Sequence, residues 1–146
     1  MGTKPKTDSG TVKPFVLEIP SKSRVKVSPS SPFLPNALYL PDCKGGWDRE
    51  TEVIPEGIPD QITAAFDNIE HALQVAGSKG WEDVYFVRSY FVPMSDEAMD
   101  TMVGLLKKYC PNHKPGWTAL SVPMLAGDAI GMKVEIEVKA YVGEKQ

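Results

Sequence analysis

At 146 residues the chain is long enough for one domain with a real hydrophobic core and too short for two. Its apolar share of 42% and charged share of 24% are those of an ordinary globular protein and exclude the disordered and membrane classes. With a net charge of −3 and its 16 basic residues spread along the chain, there is no concentrated basic stripe to neutralise phosphates, so nucleic acid is not an expected partner.

Residues 1–12 are polar and carry no apolar period whose burial would offset the entropy of ordering, so they are expected to form a disordered tail to a single domain over 13–146. No apolar run follows the lysines of this tail, and the sixth position lacks the Ser or Thr of a myristoylation pattern; neither a secretory signal nor a lipid anchor is expected. No stretch approaches the roughly 18–20 apolar residues of a membrane span, so a cytoplasmic location and no membrane partner are expected by elimination. The runs "FVLEI" and "RVKV" read as short strands confined to edges by Pro14, Pro20, Pro29, Pro32 and Pro35, and "NALYL" reads as a third, closed by Pro41. Residues 42–59, "DCKGGWDRETEVIPEGIP", read as a long loop, functional or interfacial, because glycines, prolines and mixed charges follow no period.

A helix is expected over 60–77, with Ile62, Ala65, Phe66, Ile69, Leu73 and Ala76 on one stripe, Asp60 as N-cap and Gly77 just past the end. "DVYFVRSYF" reads as a central strand covered on both faces. A second helix begins at the N-cap Ser95, has Asp96 and Glu97 in its first turn and Lys107 and Lys108 in its last, and stops at Pro111. Its expected buried stripe is Met99, Met102, Val103, Leu106 and Cys110. Two strands close the chain, "TALSV" and "MKVEIEVKAYV", joined by the loop 123–131. The order predicts an α+β domain with both helices on one face of a single mixed sheet. The other face would then carry Tyr85 or Phe86 and the Val87/Phe91 set, depending on register. An uncovered apolar face of that size implies association with other subunits.

In the last strand the period of two puts Val134, Ile136, Val138 and Ala140 on one face and Glu135, Glu137, Lys139 and Tyr141 on the other. That second face is either a solvated row of charges or the rim of an interface where one carboxylate serves as acid or base. Arg88, inside an otherwise apolar and aromatic strand, needs a partner, and Glu135 and Glu137 are the candidates; it serves in a structural ion pair or as an anion-binding group. His71 and His113 stand in no recognisable nucleophile system and are assigned no role. Cys43 and Cys110 have no paired spacing, so neither a metal site nor a disulfide framework is expected, and the absence of phosphate-cradle or zinc-helix motifs leaves no cofactor expected either. Trp117, in "KPGWTALSV", is core filler, a patch for a partner chain or the wall of a binding site.

Taken together, "PDQITAAFDNIEHALQVAG", "DVYFVRSYFV", "PNHKPGWTALSVPMLAG" and "VEIEVKAYV" resemble, in order and spacing, the Rid (YjgF) family of reactive intermediate deaminases, over about Asn36 to Val142. The resemblance implies a chorismate-mutase-like fold, a homotrimer whose sheets face inward as a barrel, and three small-molecule clefts between subunits. It also implies cofactor-free hydrolysis of reactive enamines and imines to a keto acid and ammonia. The family's carboxylate-binding arginine, in a Pro-x-Arg-Ser/Thr pattern, meets Pro115-Gly116-Trp117-Thr118 here, so tryptophan stands in the arginine's place. The family's water-positioning glutamate matches Glu135, which is the expected catalytic residue. Asp42 and Cys43 replace a Ser-Gly-Gln-like turn, and the family's N-terminal tyrosine segment has no clear match.

On this basis Trp117, Thr118, Ala119, Arg88, Asp42 and Cys43 are expected to line the cleft. An indole offers one N–H donor and no charge, so loss of the arginine would cost about 2–5 kcal/mol of carboxylate recognition. Turnover of standard 2-imino acids is therefore in doubt, and an uncharged or aromatic ligand is expected. The alternative is a non-catalytic trimeric ligand-binding or chaperone-like protein. The ribonuclease activity attached to the family's name ranks last, since the sequence has no basic groove and no histidine pair.

Overall fold

The computed structural model describes residues 28–29 and 37–142, with side chains from Gly45 onward; the expected tail at 1–12 and the expected strands at 15–19 and 24–27 lie outside the described residues. Strands β1 (Ser28–Pro29), β2 (Ala37–Gly45), β3 (Val84–Phe91), β4 (Gly116–Ser121) and β5 (Val134–Tyr141) form one sheet in the order β1-β2-β5-β3-β4. β5 pairs antiparallel with both β2 and β3, whereas β3 and β4 run parallel. A parallel neighbour requires a crossover, and helix α2 (Asp96–Tyr109) supplies it. Helix α1 (Ile58–Val75) links β2 to β3 and packs against α2, β2 and β5, so both helices lie on one face of a mixed sheet.

The core sits between those helices and that face. Ile62, Phe66, Ile69 and Leu73 from α1 and Met102 from α2 meet Val87 and Phe91 of β3 and Val134, Ile136 and Val138 of β5, all at 0% exposure. Trp81 stacks on Phe66 with ring centroids 4.2 Å apart, and its Nε1 donates to the Phe66 carbonyl. Burial of an aromatic pair of this kind contributes more than its area alone.

Several boundaries differ from the sequence reading. β2 continues through Pro41 to Gly45, with a register shift against β5 between Leu40 and Lys44. A proline is tolerated at such an irregularity. The loop is accordingly 46–57, shorter than 42–59. The N-cap of α1 is Gly57, not Asp60; Pro59, which has no N–H to satisfy, occupies the first turn together with Asp60. Gly77, at φ 89°, and Ser78 close that helix by donating to the carbonyls of Gln74 and Leu73. α2 has its expected cap, with Ala98 N–H donating to Ser95 Oγ at 3.2 Å. Val103 leaves the expected buried stripe and is 39% exposed, while Ala98, Leu105 and Tyr109 take its place against the core.

The largest change concerns β3. Among the described residues it is covered on one face only, and the register puts Val87, Ser89 and Phe91 against the helices. Phe86, Arg88 and Tyr90 take the other face. The uncovered side is therefore mixed rather than apolar.

Candidate functional site

The open face of the sheet is built from alternate residues of β3 and β5. Cross-strand partners share a face, and the register sets Arg88 opposite Glu137, Tyr90 opposite Glu135, and Phe86 opposite Lys139. Arg88 Nη1 donates to Glu137 Oε1 at 2.9 Å, and the Tyr90 hydroxyl donates to Glu137 Oε2 at 3.2 Å. Glu137 is buried at 7% exposure, which is tolerable for a carboxylate because a guanidinium and a hydroxyl meet it. Of the two carboxylates open to Arg88 on sequence grounds, Glu137 is the partner. The Phe86 ring lies between two cations, with Arg88 Cζ 5.5 Å and Lys139 Nζ 5.4 Å from its centroid.

Glu135 stands at the end of this ladder. It is half-buried, and desolvation pushes its carboxyl above the usual carboxylate range. Among the described residues, no side chain or backbone group donates a hydrogen bond to it, and its neighbour on β2 is Gly45, which adds no side chain. A carboxyl that holds its proton more tightly than usual, on an accessible face, can both take and return a proton.

The expected cleft residues divide between the two faces. Arg88 and Thr118 are directly paired on the open side, with Glu135 two residues beyond Arg88's partner. Trp117 and Ala119, paired with Val87 and Ser89, face the helices and pack against the core. The Trp117 Nε1 donates to the buried Ser89 Oγ at 2.9 Å, so the indole's one donor is engaged inside the chain. Asp42 and Cys43 fall in the irregular part of β2, and their side chains lie outside the described residues. His71 is exposed, whereas His113 is tethered by its Nε2 to the Val84 carbonyl at 2.7 Å, which fixes the turn before β4. The Cys110 thiol is buried, with burial and the Glu70 carboxylate pushing its pKa up to about 11.

Two residues that sequence reasoning missed hold the loop over 46–57. Gln61, at 0% exposure, donates through Nε2 to the carbonyls of Pro55 and Gly131 and accepts from Lys133 N–H. Asn68 donates to the carbonyls of Gly45 and Trp47. Gly46 sits so close to α1 that a Cβ would lie 2.2 Å from the Gln61 carbonyl oxygen, which demands glycine. The loop is thus clamped to α1 and to the turn before β5. A signal was present in the sequence: 61, 65, 68 and 72 form one helical row, and an amide on a row with two alanines has a buried backbone to serve. Among the described residues no group of His, Cys, Asp and Glu side chains could hold a metal ion, and no helix is long and apolar enough to cross a membrane.

Solved structures share this fold. RidA from the Antarctic bacterium Psychrobacter sp. PAMC 21119 is similar at TM-score 0.64 and 24% identity, over 73% of this chain and 81% of that one. The Escherichia coli YjgF gene product is similar at TM-score 0.64 and 19% identity, over 73% and 80%. E. coli TdcF, solved with bound serine, is similar at TM-score 0.65 and 19% identity, over 75% and 84%. Among curated proteins no sequence matches the chain. The family model described as Endoribonuclease L-PSP matches residues 43–142, a span that contains α1, α2 and strands β3 to β5. The chain belongs to the endoribonuclease L-PSP family, the family of the RidA and YjgF proteins.

Proposed function

We propose that the protein is a cofactor-independent hydrolase of small reactive imines or enamines, assembled as a homotrimer with its ligand in clefts between subunits and with Glu135 as the acid–base group. The observation that carries this reading is the setting of Glu135: desolvated, on the open sheet face, and at the position that matches the family's water-positioning glutamate. In the reaction, Glu135 takes a proton from water as the oxygen bonds to the imine carbon, and the nitrogen acquires the proton. Collapse of the resulting carbinolamine breaks the C–N bond and gives a carbonyl compound and ammonia. Atoms balance with water as the second reactant.

The ligand class is set by what Trp117 does not supply, since its ring packs toward the helices. Trp117 holds no charge where the family pattern has an arginine, and its N–H is engaged by Ser89, so a substrate carboxylate loses its orienting partner. TdcF was solved with serine, a ligand that carries a carboxylate; this chain is expected to disfavour such ligands and to accept uncharged or aromatic ones, with Thr118 and Arg88 on the cleft side. Occupation of the indole donor also favours a second reading, a trimer whose clefts bind a ligand without transforming it.

Ammonia release from freshly generated imines separates the two. Wild-type protein is expected to turn over neutral imines, to act weakly on 2-imino acids, and to lose activity in Glu135→Ala. Because Trp117 packs toward the helices, Trp117→Arg is expected to destabilise the fold without raising turnover of 2-imino acids. Equal rates in wild type and Glu135→Ala on every imine tried would reject the hydrolase and leave the binding protein.

A further inference from the structure

We infer that Trp47, seated over Gly45 beside Met132, is the specificity-determining wall of the Glu135 site and selects imines that carry a neutral aromatic group. The inference rests on the reading of Glu135 as the acid–base group and names the part of the chain that its ligand meets. Successive residues of a strand point to opposite faces, and the two glycines where β2 ends show which face each serves. A Cβ on Gly46 would run into the backbone of Gln61 in α1, so Gly46 faces the helices and Gly45 faces the open side. There Gly45 is the direct partner of Glu135. The space that a side chain at Gly45 would take is filled by two other residues: a Cβ on Gly45 would lie 2.5 Å from Met132 Cε and 2.8 Å from Trp47 Cζ3.

Opposed Cβ positions stand about 4.5–5.5 Å apart, so the thioether and the edge of the indole border the Glu135 side chain. Met132 is pinned there, because the Gly46 N–H donates to its Sδ at 3.3 Å, and it is 5% exposed. Trp47 is half-buried, which leaves part of its indole accessible, and Asn68 holds its backbone by donating to the Trp47 carbonyl at 2.9 Å. Two apolar groups at this place also account for the desolvation of the Glu135 carboxyl. An indole meets an aromatic ring by offset stacking or edge-to-face contact, whereas it offers a carboxylate one N–H and no charge. Trp117 does not supply this wall, since its ring packs toward the helices and its N–H is bonded to Ser89.

The test is an NMR titration of the indole N–H signals of the full chain with acetophenone and with acetone, the ketones that remain when their imines are hydrolysed. Acetophenone is expected to shift the Trp47 signal at concentrations about tenfold below those that acetone requires. The Trp81 and Trp117 signals, whose N–H groups are bonded to the Phe66 carbonyl and to Ser89 Oγ, should stay in place. In ammonia release, the preference for the acetophenone imine over the acetone imine, taken as the ratio of kcat/KM, is expected to fall about tenfold in Trp47→Ala and to be largely kept in Trp47→Phe. A ring that merely fills space would change the melting temperature and leave this ratio where it was. Should Trp47→Ala fail to fold, the wild-type titration decides the matter. An unmoved Trp47 signal, movement of Trp117 in its place, or an unchanged ratio in Trp47→Ala would overturn the inference. If the Trp47 signal moves as stated while Glu135→Ala releases ammonia at the wild-type rate, this inference stands and the hydrolase reading falls. If Glu135→Ala abolishes ammonia release while Trp47 ignores acetophenone, the hydrolase reading stands and this inference falls.

Discussion

Glu135 shows how one carboxylate in a strand differs from its neighbour two positions on. Glu137 is enclosed and answered by a guanidinium; Glu135 is half-buried and answered by nothing among the described residues, so burial alone pushes its pKa above the ordinary 4.5. The sign of the linked stability follows. A folded-state pKa above the unfolded value means that the folded chain binds this proton more tightly, so the stability it contributes is present below the unfolded value and is lost as pH rises through the folded one. Glu135→Gln removes the charging step and keeps the shape. Its melting temperature relative to wild type is therefore expected to climb as pH rises from below the ordinary carboxylate pKa through the raised one of Glu135, read by calorimetry at matched ionic strength. A constant difference across that range would show that Glu135 is not desolvated. At the same scale, Trp117 shows a limit of position matching. Spacing placed the indole where the family pattern has an arginine, but only the register with β3 reveals that its N–H turns inward to Ser89.

Among the elements, α1 carries a second task beside its apolar stripe. Gln61 satisfies the carbonyls of Pro55 and Gly131 and the N–H of Lys133, joining the loop before α1 to the turn before β5. Removing the amide strands buried backbone groups, each worth about 1–3 kcal/mol when left unpaired. Gln61→Ala is expected to lower unfolding free energy by about 2–4 kcal/mol in urea, and to speed amide exchange at 46–57 and 127–133 more than in the β3–β5 ladder. Uniform loosening would argue against the clamp. Helices and strand periods were legible in the sequence because they are local: the stripe of α1 from Ile62 to Leu73, the Ser95 cap and the alternation of β5 stand as read, while Ala76 falls past the end of α1 as its half-exposed C-cap. What depended on partners was not. Asp60 looked like a cap until Pro59 took the first turn, Pro41 looked like a strand end until the β2 irregularity admitted it, and Val103 looked buried until α2's rotation against α1 was fixed by Ala98 and Met102.

Over the whole molecule the two faces of the sheet are unequal. One is sealed by α1 and α2. The other presents Phe86, Tyr90, Leu120 and Tyr141 among Arg88, Glu135, Glu137 and Lys139, with Leu120 at 39% and Tyr141 at 50% exposure. The sequence foretold an uncovered face; it did not foretell its composition, because the choice between Phe86/Arg88/Tyr90 and Val87/Phe91 hinged on a register irregularity between Val84 and Phe86. A half-exposed, hydrogen-bonded ion pair beside exposed aliphatic and aromatic groups has the mixed character of a subunit interface rather than of a free surface. Among the described residues β4 is an unpaired edge next to it, which a second chain can cover. Sedimentation at micromolar concentration is expected to give the mass of three 16.0 kDa chains. Leu120→Glu, placed on the open side of that edge, is expected to shift the population to single chains with the helical circular dichroism unchanged, since it touches neither helix. Ammonia release should fall with the trimer fraction if the site needs a neighbouring subunit. A wild-type protein that sediments as one chain throughout that range would remove the inter-subunit cleft, and with it the proposed site for a ligand.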